Sequence, residues 1–193
     1  MHLGHAWKFR YTVACLAPTV QHTFSTKAPP YAALLELDKI IRRFVMPAHL
    51  RSPYKASDST KSWSLDVSSA MQQYCALCLR ESSEMDLVST FKFTEPPVTD
   101  LLYIHRSYFA QAIRQDSENP LRHPYAPSVL ATYRSACRLI SALRGLCVLH
   151  PQMTVQVWFF WSGIYSACVS LDLLHHLTFP KRFNLDCPWS SRS

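Results

Sequence analysis

The chain has 193 residues, of which 48% are hydrophobic and 17% charged, so it carries enough apolar material for one core and few charges for a surface. Its glycines are Gly4, Gly145 and Gly163, none in a G-x-G-x-x-G or G-x-x-x-x-G-K context, which excludes dinucleotide folds and phosphate loops. The formal charge of +7 is spread along the chain, with no basic run longer than Arg42-Arg43 or Lys181-Arg182, and reads as solvated helix faces rather than as a nucleic-acid or membrane footprint.

Thirteen prolines cut the chain into segments. Residues 1–30 read as irregular and end at Ala28-Pro29-Pro30. A helix is predicted from Tyr31 to Val45, with Leu37, Ile40, Ile41 and Phe44 inward and Asp38 and Arg42 placed for an i,i+4 ion pair. Pro47 stops it, and the polar stretch 51–62 reads as a loop. A second helix is predicted from Asp66 to Glu81, with Val67, Met71, Tyr74, Cys75 and Cys78 on one face. Residues 82–98, through Glu95-Pro96-Pro97, read as an inserted loop. Thr99 or Asp100 can cap the next helix, which carries Leu101, Ile104, His105, Tyr108 and Ala112 inward.

Asp116 to Pro120 breaks the chain again. A long helix then starts near Pro127, with the stripe Val129, Tyr133, Ala136, Cys137, Ile140, Leu143 and Cys147 and with Arg134, Arg138 and Arg144 away from it. His150-Pro151 separates it from a last helix, Gln152 to Leu171, apolar nearly all round. Such a helix is either the centre of a bundle or a membrane span. Gln152, Thr154, Gln156, Ser162, Ser166 and Ser170 dilute it, and no positive cluster flanks it, which favours a core helix packed on the preceding stripe with Trp161 deeply buried. A membrane anchor at 151–171 is the alternative. The tail 172–193 has no period and reads as irregular.

The constellations that could carry chemistry are weak. The seven cysteines are odd in number and follow no secretory signal, so disulfides are not expected. Cys75-Ala76-Leu77-Cys78 has metal-ligand spacing, but a structural zinc needs four ligands and there is no second pair, so two buried thiols one turn apart is the better reading. Of the nine histidines, His105 sits among tyrosines on a helix face, where a hydrogen-bonded core or rim residue is the usual outcome. Arg134, Arg138 and Arg144 with Tyr103, Tyr108 and Tyr133 could grip and stack a nucleic acid, but read better as a solvated face and a core stripe. No H-E-x-x-H or G-x-S-x-G occurs, and nothing in the spacing places a serine, a histidine and an acid together. The reading is therefore all-α and non-enzymatic, with no catalytic, cofactor-binding or metal residue.

Several phrases carry a family resemblance. They are Phe24-Ser25-Thr26-Lys27-Ala28-Pro29-Pro30-Tyr31, Leu34-Leu35-Glu36-Leu37-Asp38-Lys39, Pro47-Ala48-His49-Leu50-Arg51-Ser52-Pro53, Leu101 to Ala112, Pro120 to Arg144 and Val157 to Gly163. In this order they resemble the regulatory middle region of fungal zinc-cluster transcription factors, in its basidiomycete form. The resemblance runs with gaps from about Trp7 to about Val169. It implies a partial all-α regulatory domain over 31–171, a nuclear location and partners among other transcription regulators or a full-length homologue, with possible self-association.

In that family a separate N-terminal cluster of six cysteines holds zinc and grips DNA. This chain has no such cluster, so no zinc and no direct sequence-specific DNA contact are expected of it. Residues 82–100 interrupt a join that is usually short in similar sequences, between a phrase like Arg80-Glu81-Ser82 and the one opening at Leu101. No residue that binds metal or DNA in the family has a match here.

Overall fold

The computed structural model describes residues 2–27, 29–52, 63–81, 101–157 and 159–178, and among these there are helices and connecting turns but no strand. The class is all-α, as the periodicity implies. The expected loop at 82–98, the capping residues Thr99 and Asp100, and most of the loop at 51–62 lie outside the described residues.

The first segment departs from expectation. Residues 1–30 were expected to be irregular, yet α1 (His2–Tyr11), a π-helical turn (Thr12–Leu16) and α2 (Ala17–Thr23) form one continuous helical run. Trp7, Tyr11, Cys15 and Thr19, four residues apart, are all buried. A four-residue spacing drifts by about 40° per step on an α-helix, and the wider π turn takes up an extra residue that keeps the stripe on one side. The Trp7 indole N–H donates to the Val45 carbonyl at 2.9 Å, and the Tyr11 hydroxyl donates to the Leu79 carbonyl at 3.2 Å. Trp7 stacks on Tyr11 at 5.2 Å between centroids, and Phe44 meets Tyr11 edge-on at 5.3 Å.

Helix α3 (Tyr31–Arg43) buries Leu34, Leu37 and Ile41. Ile40, expected inward, is 48% exposed, because Leu34 rather than Ile40 completes the stripe that meets the core. After a short 3-10 turn (Ala48–Leu50), α4 (Val67–Glu81) starts on the Asp66 side chain, which accepts from the Ser69 backbone N–H at 2.8 Å and its hydroxyl at 2.7 Å. Val67 lies on the exposed side, while Tyr74 to Leu79 are buried without interruption, so this half of α4 is covered all round.

Helices α5 (Leu101–Gln115) and α6 (Ala126–Leu149) form the centre. Helix α6 packs against α4 and α5, against a short helix α7 (Pro151–Gln156), and against the final helix α8 (Phe159–Thr178). Its expected stripe is only part of what it buries. Val129, Ala136 and Leu143 are buried, but Tyr133, Cys137, Ile140 and Cys147 are half-buried, and Ser128, Ala131, Thr132, Ser135, Leu139, Ala142 and Leu146 are deeper. Small side chains let neighbouring helices approach from several sides, so α6 takes the central place expected of the last helix.

The run from Pro151 to Leu171 is not one helix. It breaks at Val157, whose backbone (φ −102°, ψ 89°) is not helical. The Trp161 indole N–H reaches back across the break to the Thr154 carbonyl at 3.0 Å. Trp161 is 46% exposed rather than deeply buried, because α8 lies along one side of α6 with its outer face uncovered. The helix runs on to Thr178, past the boundary expected at Leu171, and 179–193 lie outside the described residues. Among the described residues no helix is long and apolar enough to cross a membrane.

Two stability measurements check this packing. Chemical denaturation should show Leu139→Ala costing about 3 kcal/mol, as for a fully buried leucine, and Trp161→Ala only about 1 kcal/mol. The reverse order would put α8 at the centre. At Gly145 an added Cβ would stand 2.8 Å from the indole nitrogen of buried Trp63. Gly145→Ala should therefore lose about 1 kcal/mol, overpacking outweighing the gain in helix propensity. In a Trp63→Leu background the same change should become stabilising, since only the propensity term remains.

Candidate functional site

Helices α3, α5 and α6 meet at a buried chain of polar groups. Asp38 and Arg42 are one turn apart on α3, and the Arg42 Nε–H lies 2.9 Å from each carboxylate oxygen of Asp38, so the expected i,i+4 pair is formed. His105 comes from α5, its ring inside the core with 1% exposure. Its Nε2 lies 3.0 Å from Asp38 Oδ1, and its Nδ1 lies 2.8 Å from the hydroxyl of Ser128 in the first turn of α6. The Tyr31 hydroxyl, from the start of α3, lies 3.0 Å from the same Ser128 oxygen.

An ionised carboxylate only accepts hydrogen bonds, so Nε2 carries a hydrogen. With a neutral ring, Nδ1 then accepts from Ser128, and Ser128 accepts from Tyr31. In that form the bonds run in one direction, from Tyr31 through Ser128 and His105 to Asp38, where Arg42 meets them. Burial pushes the Asp38 carboxyl up, but the hydrogen bonds from His105 and Arg42 and the Arg42 charge more than reverse this, leaving it below its ordinary value.

No spacing in the sequence placed a serine, a histidine and an acid together; the structure does. The set has the atoms of a Ser-His-Asp triad but not its accessibility. Ser128 has no exposed surface, and Tyr31 occupies the remaining side of its oxygen, so Oγ cannot meet a substrate in this conformation. Tyr31, Tyr108 and Tyr125 close over this end of the network, with ring centroids 4.7 to 4.8 Å apart. The arrangement is a polar joint that holds three helices in one register.

A cleft of about 670 Å³ opens beside this joint, between the end of α2 with the loop after it and the outer face of α5. Tyr103, Arg106, Ser107 and Ala110 line it, at i, i+3, i+4 and i+7. His22, Thr23, Ser25 and Thr26 form the opposite wall. Tyr108 belongs to both features, lining the cleft, packing in the tyrosine cluster and donating to the Pro29 carbonyl at 3.4 Å.

The other residues weighed for chemistry lie elsewhere. Cys75 and Cys78 are buried in α4, and burial pushes the Cys75 thiol up to about 12, so it stays protonated and inert near neutral pH. Among the described residues no group of three His, Cys, Asp or Glu side chains could hold a metal. Arg134 and Arg144 are exposed on α6. Tyr103 lines the cleft with Arg106 rather than with these arginines. Comparison of the chain with protein-family models, with curated proteins and with solved structures returned no match.

The Asp38 joint makes a pH prediction. A carboxyl depressed in the folded state stabilises fully above its unfolded value of 3.8, and that contribution fades as pH falls through its lower folded value. Asp38→Asn should therefore cost about 3 kcal/mol at neutral pH, by leaving Arg42 and His105 without their anion. It should also flatten the loss of stability as pH falls below the unfolded value of 3.8, read from denaturation midpoints. An unchanged acid limb would remove Asp38 from the stability-determining groups.

Proposed function

We propose that the chain is a regulatory and interaction domain of the kind found in the middle region of fungal zinc-cluster transcription factors, acting in the nucleus, with no direct sequence-specific DNA contact made by these residues. One observation carries this reading. Four of the phrases that resemble the family supply one residue each to the buried joint: Tyr31, Asp38, His105 and Ser128. Sequence stretches with no local reason to co-occur are thereby tied to a single physical role, holding α3, α5 and α6 together. A non-enzymatic role fits a serine sealed from solvent and a charge network used up in bracing helices.

A domain of this kind acts by contact with other proteins. The surface this reading assigns to contact is the outer face of α8, where Trp161, Tyr165, Val169 and Leu173 are exposed at four-residue intervals. Such a stripe is a helix-packing seam without a neighbour among the described residues. Its occupant in this reading is another regulator of the same helical kind, a full-length homologue included.

The test is a tethering experiment. The full chain is fused to a heterologous DNA-binding domain and placed upstream of a reporter in a fungal cell. Reporter output should shift about fivefold or more, a size that an interaction of about 1 kcal/mol can produce. Tyr165→Glu with Val169→Glu should abolish the shift without lowering the melting temperature, since both side chains face solvent. A fusion that reaches the nucleus, folds and leaves the reporter unchanged would remove the regulatory reading.

A further inference from the structure

The cleft beside the joint has a composition that neither the fold nor the proposed role requires. Among the described residues no carboxylate lines it, and Arg106 is their one permanent charge there. Arg106 is exposed and makes no hydrogen bond or ion pair with any described residue. Thr23, Ser25, Thr26 and Ser107 line the same space, and their hydroxyls make no hydrogen bond with any described residue. Burial pushes His22 below its ordinary value of 6.5, so near neutral pH its ring is uncharged and offers one N–H and one lone pair. An unpaired guanidinium and several hydroxyl residues lining one cleft, with no carboxylate among its described lining, is the chemistry that recognises an oxyanion.

The size of the cleft adds a second requirement. At about 670 Å³ it falls among small-molecule sites, which span roughly 300–1,000 Å³, and is far larger than an inorganic anion needs. The rest of its lining is apolar or aromatic, from Pro29, Tyr103, Ile104, Tyr108 and Ala110. The ligand that fits therefore has a charged head and a short apolar body.

We infer that this cleft binds a small organic acid, with a carboxylate or phosphate head on Arg106 and neighbouring hydroxyls and an apolar body against Tyr103 and Tyr108. The same ligand would bridge the loop after α2 to α5. The α5 wall adjoins the joint, since Ile104 precedes His105 and Tyr108 packs on Tyr31. Occupancy would thus brace α5 against the N-terminal segment. The inference rests on the cleft and not on the regulatory reading, so ligand binding and reporter output can succeed or fail separately.

The full chain is titrated calorimetrically with phenyl phosphate and with phenylacetate, two probes that share a body and differ in the head. Inorganic phosphate supplies the head without the body, and benzyl alcohol the body without the charge. At least one acid should saturate one site below about 1 mM, and the tighter of the two identifies the head. Both controls should bind at least about tenfold more weakly. Arg106→Gln should weaken the acid about tenfold or more, the size expected for a charge-assisted hydrogen bond, with an unchanged melting temperature. Ala110→Phe, which fills the cleft from α5, should abolish binding. The inference is overturned if neither acid saturates below about 10 mM, if a control binds as tightly as the acids, or if both variants bind like the parent chain.

Discussion

The packing of this protein depends on the need to satisfy His105. Its ring lies inside the core with both nitrogens committed, one to Asp38 on α3 and one to Ser128 on α6. A buried polar group left without a partner loses its hydration for nothing, whereas an apolar contact that slides a little loses little. The imidazole therefore does what the surrounding leucines cannot. It accepts one axial position of α3 and one of α6 relative to α5, and rejects placements one turn away. Arg42 extends the link to the rim, where Asp38 is partly solvated, and Tyr31 closes it from the other end of the chain of bonds.

A second constraint comes from side-chain size. Along α6, Ser128, Ala131, Ser135, Ala136 and Ala142 are all buried, and their small volumes let α5 and α8 lie against it on separate sides while α4 covers a third. Its neighbour α8 is more apolar in composition but bulkier, and it occupies one flank only. This leaves Trp161, Tyr165, Val169 and Leu173 on an outer face. The most apolar helix and the central helix are thus different, because a central place follows from how many neighbours can approach.

Helix α5 connects the joint to the cleft by carrying two opposed faces. Leu101, Ile104, His105, Ala112 and Ile113 point into the core, while Tyr103, Arg106, Ser107 and Ala110 face the space under the α2 loop. Tyr108 stands at the border, with its ring against Tyr31 and its hydroxyl on the Pro29 carbonyl. Any group that presses on the cleft wall presses on the helix that carries His105. The cleft and the joint are mechanically adjacent even though their residues do different chemistry.

What could be read in the chain by itself follows from local geometry. The bodies of α3, α4, α5 and α6 stand in the sequence as recurrences near 3.6 residues, and the Asp38–Arg42 pair stands there as an i,i+4 spacing, because helical neighbours are set by the backbone alone. The reading of His105 as a hydrogen-bonded residue among tyrosines is of the same kind. The N-terminal run was legible in principle, from the four-residue spacing of Trp7, Tyr11, Cys15 and Thr19, but polar neighbours and Pro18 obscured it. The partners of His105 lie 67 and 23 positions away, and the two walls of the cleft come from separate segments. Periodicity states which face of a helix is buried and is silent on which helix it meets, in what order and at what height. Those choices were decided only in the tertiary structure, where burying the imidazole with both nitrogens satisfied leaves few ways to stack α3, α5 and α6.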